Sequence, residues 1–419
     1  MLAVVGTQAR VAAAVKGRDH FPTPGWRGST LWHHRQDDWE PALAAGPASN
    51  DVYQLGTRYY GPRACGSCPP IAIIFRRSSD GGRTWGPDRF LCRCAGRPNQ
   101  FDPQIEVDGR GTVFAAFLQG FTPGVTFMRS DDRGRTWTKP VSFRVGWSDK
   151  PVLAVSGDGK DVYIAFNGPA HGDSYVAQSH DGGRRWTSSK ITKNERYFFA
   201  GGGFVAPDGT VTFAENTTNQ DYTGNVQEVV ETSSDRGKTW RVVKLDVTKR
   251  QPDCTSRGCY DGFYATVPAI AGDANGNLVD VYVGASVPRG PQRAYVRRST
   301  DGGLTWSRRE AISPADAIAV SSAAVGGGPG DIRVWYMDDR TGAFNVWERN
   351  STDGGRTWSP VARLSNALGG PGYVSGRGFG EIYGDYGEID ITARGKTVAT
   401  WGEAGSYYGP GGIWFNSSR

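Results

Sequence analysis

One eight-residue pattern, Ser-x-Asp-x-Gly-x-Thr-Trp, occurs six times in the 419-residue chain, and no other feature restricts the fold as tightly. The copies run Ser78 to Trp85, Ser130 to Trp137, Ser179 to Trp186, Ser233 to Trp240, Ser299 to Trp306 and Ser351 to Trp358, with Arg185 in the Thr place of the third. Their aspartates fall at 80, 132, 181, 235, 301 and 353, so successive copies are 52, 49, 54, 66 and 52 residues apart. A period of about 50 residues marks a repeat architecture, in which each unit buries its apolar faces only by stacking on its neighbours.

Each copy reads as a hairpin turn. Aspartate accepts hydrogen bonds from nearby amides, glycine takes a backbone conformation other residues resist, and tryptophan supplies a large ring to bury. An extended run rich in β-branched and aromatic residues precedes each turn, for example IAIIFRRS, GVTFMRS and AYVRRS, with two more such pieces upstream, for example QIEVD and TVFAAFL. Three strands before the turn and one after it make a four-stranded antiparallel sheet, the size of a propeller blade. The 59 glycines, and 14 tryptophans against 3 methionines, exclude a helical bundle.

The segments YGEIDIT, KTVATWGE and GGIWFNSSR repeat the first three strands once more after the sixth turn. The chain therefore reads as all-β, a seven-bladed β-propeller, with six blades and a C-terminal appendage as the alternative. Residues 39–419 form the propeller. Residues 1–38 form an arm that lends the last blade its outer strand, from Leu2 to Val5 or Arg10 to Val15, so that no sheet edge stays open.

The six turns resemble the Asp-boxes of the bacterial neuraminidase repeat superfamily, which includes sialidases, other glycoside hydrolases, polysaccharide lyases and noncatalytic propellers. The resemblance covers nearly the whole chain from Trp39 onward, and the motif itself is structural, so fold follows from it more directly than function. Sialidases of this superfamily open their first blade with Arg-Ile-Pro, whose arginine grips the substrate carboxylate. The matching place here is Trp39-Glu40-Pro41, with glutamate where that arginine would stand. The resemblance therefore implies a carbohydrate-active propeller working on an acidic glycan other than a simple sialoside.

The turns share one rim with the first-to-second-strand connections, and the opposite rim receives the second-to-third-strand loops and the connections between blades. Unusual residues collect on that second rim, where a rigid scaffold presents function. Asp102, Asp149 and Asp385 each stand at the mouth of an inner strand, and crowding carboxylates there would raise at least one pKa, separating an acid from a base. Glu381, Tyr383 and His171 complete the candidate catalytic groups. Lys150, Arg250, Tyr260, Tyr264, Arg377 and Tyr386 are the candidate substrate-binding groups, since rings stack on sugar faces and cations hold carboxylates. A tyrosine beside a carboxylate could act as nucleophile, in the manner the resemblance implies, or as the proton-transfer group of a lyase. Each aspartate has a plainer reading, holding a strand start through backbone amides.

Three function classes stay open: a glycoside hydrolase on an acidic glycan, a polysaccharide lyase on uronate-containing glycans, and a noncatalytic glycan- or protein-binding propeller. HExxH, GxSxG and phosphate-binding glycine loops are missing from the sequence, so no cofactor is expected. A structural calcium in the channel is the one metal kept open. The charge balance of 48 − 42 = +6 has no clustering that would suit nucleic acid, and no apolar run is long enough for a membrane span. A monomer is expected. Six cysteines, at 65, 68, 92, 94, 254 and 259, read as three disulfides of a secreted protein. Cys254 would pair with Cys259, and Cys65 and Cys68 would cross to Cys92 and Cys94, while a four-thiolate zinc site is the rival.

Overall fold

The computed structural model describes residues 23–33, 36–59, 61–143, 145–169, 172–193, 196–221, 224–249, 268–288, 290–341, 344–365, 386–404 and 411–419. They form seven four-stranded antiparallel sheets. Blade 1 runs outward from Asp37–Ala45 through Val52–Tyr59 and Ala72–Ser78 to Arg89–Phe90. Blades 2 to 6 repeat that order, with inner strands Gln100–Val107, Asp149–Val155, Tyr197–Val205, Ala269–Gly272 and Ala319–Gly326. Blade 7 runs from Gly387–Ile391 through Thr397–Ala404 and Gly411–Ser417.

The outer strand of blade 7 comes from the N-terminal arm, as expected, but at a different place. Thr30–Leu31 pairs with the last strand, Thr30 opposite Phe415 and Leu31 opposite Trp414. Trp26 bridges to Ser418, and the amide of Trp32 donates to Ile413 O at 2.8 Å. Leu2 to Val5 and Arg10 to Val15 lie outside the described residues. What selects Thr30–Leu31 is its flanking rings: Trp26 joins the core between blades 6 and 7, and Trp32 packs on Ile74 and Ile413.

Cores sit between adjacent blades. Second strands such as Val113–Gln119 and Leu278–Ala285 are buried along their whole length, because a neighbouring blade covers each face. The repeated turns seal these cores. In the second copy the Ser130 hydroxyl donates to Asp132 Oδ1 at 2.7 Å, and the Thr136 amide and hydroxyl donate to the two carboxylate oxygens at 2.8 and 2.6 Å. Gly134, at φ +76°, lies against Phe75 of the preceding blade, where a Cβ would come within 2.5 Å of that ring. Trp137 then meets Phe75 edge-on at 5.5 Å. Each turn is thus a clasp from one blade onto the blade before it.

The cysteine pairing differs from expectation. Cys65 is joined to Cys68 and Cys92 to Cys94, each within its own loop. The crossed pairing and the zinc alternative both fail at these four positions, since no thiol is left to cross or to ligate. Cys254 and Cys259 lie outside the described residues.

Candidate functional site

Three consecutive inner strands carry near their start a charged residue followed by proline: Glu40-Pro41, Asp102-Pro103 and Lys150-Pro151. In each strand the register slips at this dipeptide, between Trp39 and Ala42, Phe101 and Gln104, and Asp149 and Val152. The charged residue takes a left-handed backbone, at φ +56°, +52° and +50° respectively. A side-chain-bearing residue before proline resists that conformation, so the fold holds all three under local strain. Bulges re-aim side chains, and strain of this kind collects where function needs a fixed geometry. Lys150, rather than Asp149, is thus the blade 3 counterpart of Asp102, and Glu40 is the third member, which the sequence reading took only as a missing arginine.

The three side chains meet on the rim opposite the repeated turns. Glu40 Oε2 accepts from the Thr57 hydroxyl and from the Asp102 amide at 2.8 Å, while the Tyr59 hydroxyl donates to Oε1 at 3.0 Å. Glu40 therefore braces the Asp102 backbone. Tyr386, at the start of the blade 7 inner strand, donates its hydroxyl to Asp102 Oδ1. The Lys150 ammonium lies 3.2 Å from the centroid of the Tyr386 ring, a cation over a π face. Asp149 lies close enough to the Asp102 carboxyl to act on its titration. Two neighbouring carboxyls titrate as a pair, so one can hold a proton while the other stays charged. Burial pushes the Asp102 carboxyl up, and the Lys150 charge with the Tyr386 and Asp149 hydrogen bonds pulls it back.

Beneath this cluster the inner strands of all seven blades enclose a central cavity of ≈ 670 Å³, with Lys150 and Tyr386 among its lining residues. Glu106, Glu388 and Asp390 line it further down. Burial, then mutual repulsion with Asp390 and Glu388, raises Glu106 well above the ordinary range. Burial also pushes Glu388 up to about 8 and Asp390 to about 6. Glu388 accepts from the Leu43 amide, and Asp390 from the Ala45 amide at 2.6 Å, so both fasten blade 7 to the inner edge of blade 1. Charged residues at every second position of GEIDI signal a strand with one wet face, and that signal could have found them. Among the described residues no group of three or more His, Cys, Asp or Glu is placed to hold a metal ion.

Of the candidates read from sequence, the structure brings together Asp102, Asp149, Lys150 and Tyr386. Asp385, Tyr383, Glu381, His171, Arg250, Tyr260, Tyr264 and Arg377 lie outside the described residues.

No protein-family model matches the chain. It is 25% identical over 344 residues to a sialidase of Micromonospora viridifaciens, an alignment covering 72% of this chain and 48% of that protein. The chain spans about half the length of that curated relative. Among solved structures it is similar to a protein of unknown function from Dyadobacter fermentans, at TM-score 0.56 and 15% identity, covering 94% of this chain and all of that one. It is also similar to an ulvan lyase from a polysaccharide lyase family, at TM-score 0.54 and 11% identity, covering 94% and 95% of the two chains. Identities this low speak for fold alone. The seven sheets and the closing N-terminal strand make the chain a seven-bladed β-propeller, and these likenesses agree with that fold.

Proposed function

We propose that this chain is a secreted, carbohydrate-active enzyme that works as a monomer on an acidic glycan, with Tyr386 and Asp102 as its reacting pair. The observation that carries the reading is the Tyr386 hydroxyl bonded to a partly buried carboxylate, beneath a lysine ammonium, at the mouth of a strained rim. A phenol is a poor nucleophile until a base takes its proton, and Asp102 is within hydrogen-bond reach to do so. Lys150 stabilises the negative charge that develops on the phenol oxygen and offers a counter-ion for a sugar carboxylate. In glycoside hydrolysis the Tyr386 oxygen attacks the anomeric carbon as its proton passes to Asp102. A protonated Asp149 gives its proton to the departing sugar oxygen, and water then releases the sugar from tyrosine. The two local disulfides suit an oxidising location outside the cell.

A second reading uses the same atoms as a lyase. Glu40 standing where an arginine would grip a sialic acid, together with the fold likeness to an ulvan lyase, favours it. There Tyr386, its proton passed to Asp102, removes the proton next to a uronate carboxylate as a carbon–carbon double bond forms, and the departing glycosidic oxygen takes a proton from a protonated Asp149. One screen separates the readings. Sialosides, aryl glycosides and acidic polysaccharides are incubated with the protein, and reducing ends and near-ultraviolet absorbance are read together. Reducing ends without absorbance support hydrolysis, both together support elimination, and neither on any substrate defeats the enzymatic reading.

A further inference from the structure

Phe121 is the one exposed phenyl or indole ring among the described residues, with 48% of its surface open to solvent. It sits between the strands Val113–Gln119 and Gly124–Ser130, on the same rim as the reacting pair. Single exposed apolar residues need no explanation, but this one is rigidly held. Its ring stacks on Trp147 of the blade 2 to blade 3 connection, with centroids 5.6 Å apart and planes 14° from parallel. The Ser148 amide donates to Phe121 O at 3.0 Å, the Val125 amide to the Ser148 hydroxyl at 3.0 Å, and the Gly120 amide to Asn99 O at 2.7 Å. Gly124, at φ +79°, makes the close approach possible, since a Cβ there would fall 1.9 Å from Ser148 Oγ.

Trp147 stands three residues before Lys150, and three residues of chain span at most about 10 Å. The ring pair therefore stands within a short span of chain of Lys150, which lines the cavity. We infer that Phe121 and Trp147 form a separate sugar subsite that stacks on the apolar face of a pyranose next to the one held at Lys150, Asp102 and Tyr386. The ligand is then an oligomeric or polymeric uronate glycan and not a single terminal sugar. This inference rests on the proposed function in taking the ligand to be a glycan. Two rings offer far too little apolar surface for a protein partner, which needs roughly 800 Å² a side. Two and three residues beyond Trp147 stand Asp149 and Lys150, both charged, as a wet and ionic ligand requires.

The test measures binding by the full chain of polygalacturonate, alginate and hyaluronan, with their hexasaccharides and the free uronic acids, by calorimetry. Phe121→Ala and Trp147→Ala should each weaken hexasaccharide binding by roughly 3- to 10-fold, the scale of one ring stack, and leave binding of the free uronic acid unchanged. Phe121→Trp should restore it, which a merely structural loss would not allow. Near-ultraviolet circular dichroism checks that the alanine variants keep their fold. Hexasaccharide binding equal to wild type in both alanine variants overturns the subsite, as does a wild-type protein that binds none of the three polymers. Wild-type binding without turnover, weakened by Phe121→Ala, would remove the proposed reaction and leave the subsite standing.

Discussion

Tyr386 and Asp102 come from blades 7 and 2, separated by 284 residues in sequence, yet the phenol of one donates directly to the carboxylate of the other. Blade 1 stands between them in the ring, and its Glu40 contributes by holding the Asp102 amide. The reacting pair thus straddles the point where the ring closes. Tyr386→Phe removes one oxygen and keeps the ring beneath Lys150. With a substrate in hand, it should lower kcat by roughly 10²-fold or more at little cost in Tm. A retained kcat would make the tyrosine a wall of the cavity.

The repeated turns should behave in the opposite way. Asp132→Asn loses the charge that the Thr136 side chain and amide hold well below the usual carboxylate range. A depressed carboxylate stabilises above its unfolded pKa and loses that contribution as pH falls. The variant should therefore melt lower than wild type at pH 7, by roughly 2–4 °C, and the gap should shrink toward pH 3. Turnover per folded molecule should not change. Differential scanning calorimetry across pH checks both.

Between blades 3 and 4 the Ser174 hydroxyl lies 3.1 Å from Glu215 Oε1 and 2.9 Å from Glu231 Oε2, all three groups buried. One hydroxyl proton serves one of these contacts, so the other needs a protonated carboxyl. Burial pushes Glu231 up to about 8. A raised carboxyl stabilises fully below its unfolded pKa, near 4.5, and loses that contribution as pH rises toward about 8. The Tm of the wild type should fall between pH 6 and pH 9, and Glu231→Gln should flatten that decline. An unchanged slope would mean that the pair does not hold a proton.

Ring closure can be tested by length. Removing residues 1–22 leaves Thr30–Leu31 in place and should preserve a single cooperative melt. Removing residues 1–32 deletes the outer strand of blade 7 and exposes the edge of Gly411–Ser417, so the protein should aggregate or melt broadly. Equal melting of the two forms would place the closing strand elsewhere.

Cys92 and Cys94 flank Arg93, whereas only Gly66 and Ser67 lie between Cys65 and Cys68. Tryptic digestion without reductant should therefore yield one pair of fragments joined through Cys92 and Cys94, and a separate fragment two mass units light through Cys65 and Cys68. A single conjugate joining both loops would restore the crossed pairing.

What was legible follows from how local each determinant is. Asp132, Gly134 and Trp137 act within eight residues, so the turn, the blade and the blade count could be read directly. Thr30–Leu31 could not, because two residues carry no strand pattern and their place is set by Trp26 and Trp32 packing on distant blades. Asp102 and Asp149 both stand at the start of an inner strand, but the bulge that puts Lys150 in register with Asp102 shows only once strands are paired. Glu40 was visible as a departure from a family motif, while its role as a brace depends on Tyr59 and Asp102 meeting it in space. Disulfide connectivity was illegible for a similar reason, since two loops on one rim permit either pairing.

The central claim is that Asp102 takes the Tyr386 proton during turnover of an acidic glycan. The most direct measurement is the kcat of Asp102→Asn against wild type on the best substrate of the screen, with each rate divided by the folded fraction. The account predicts a loss of roughly 10²-fold or more with hexasaccharide binding retained. An Asp102→Asn protein that turns over at the wild-type rate would contradict it.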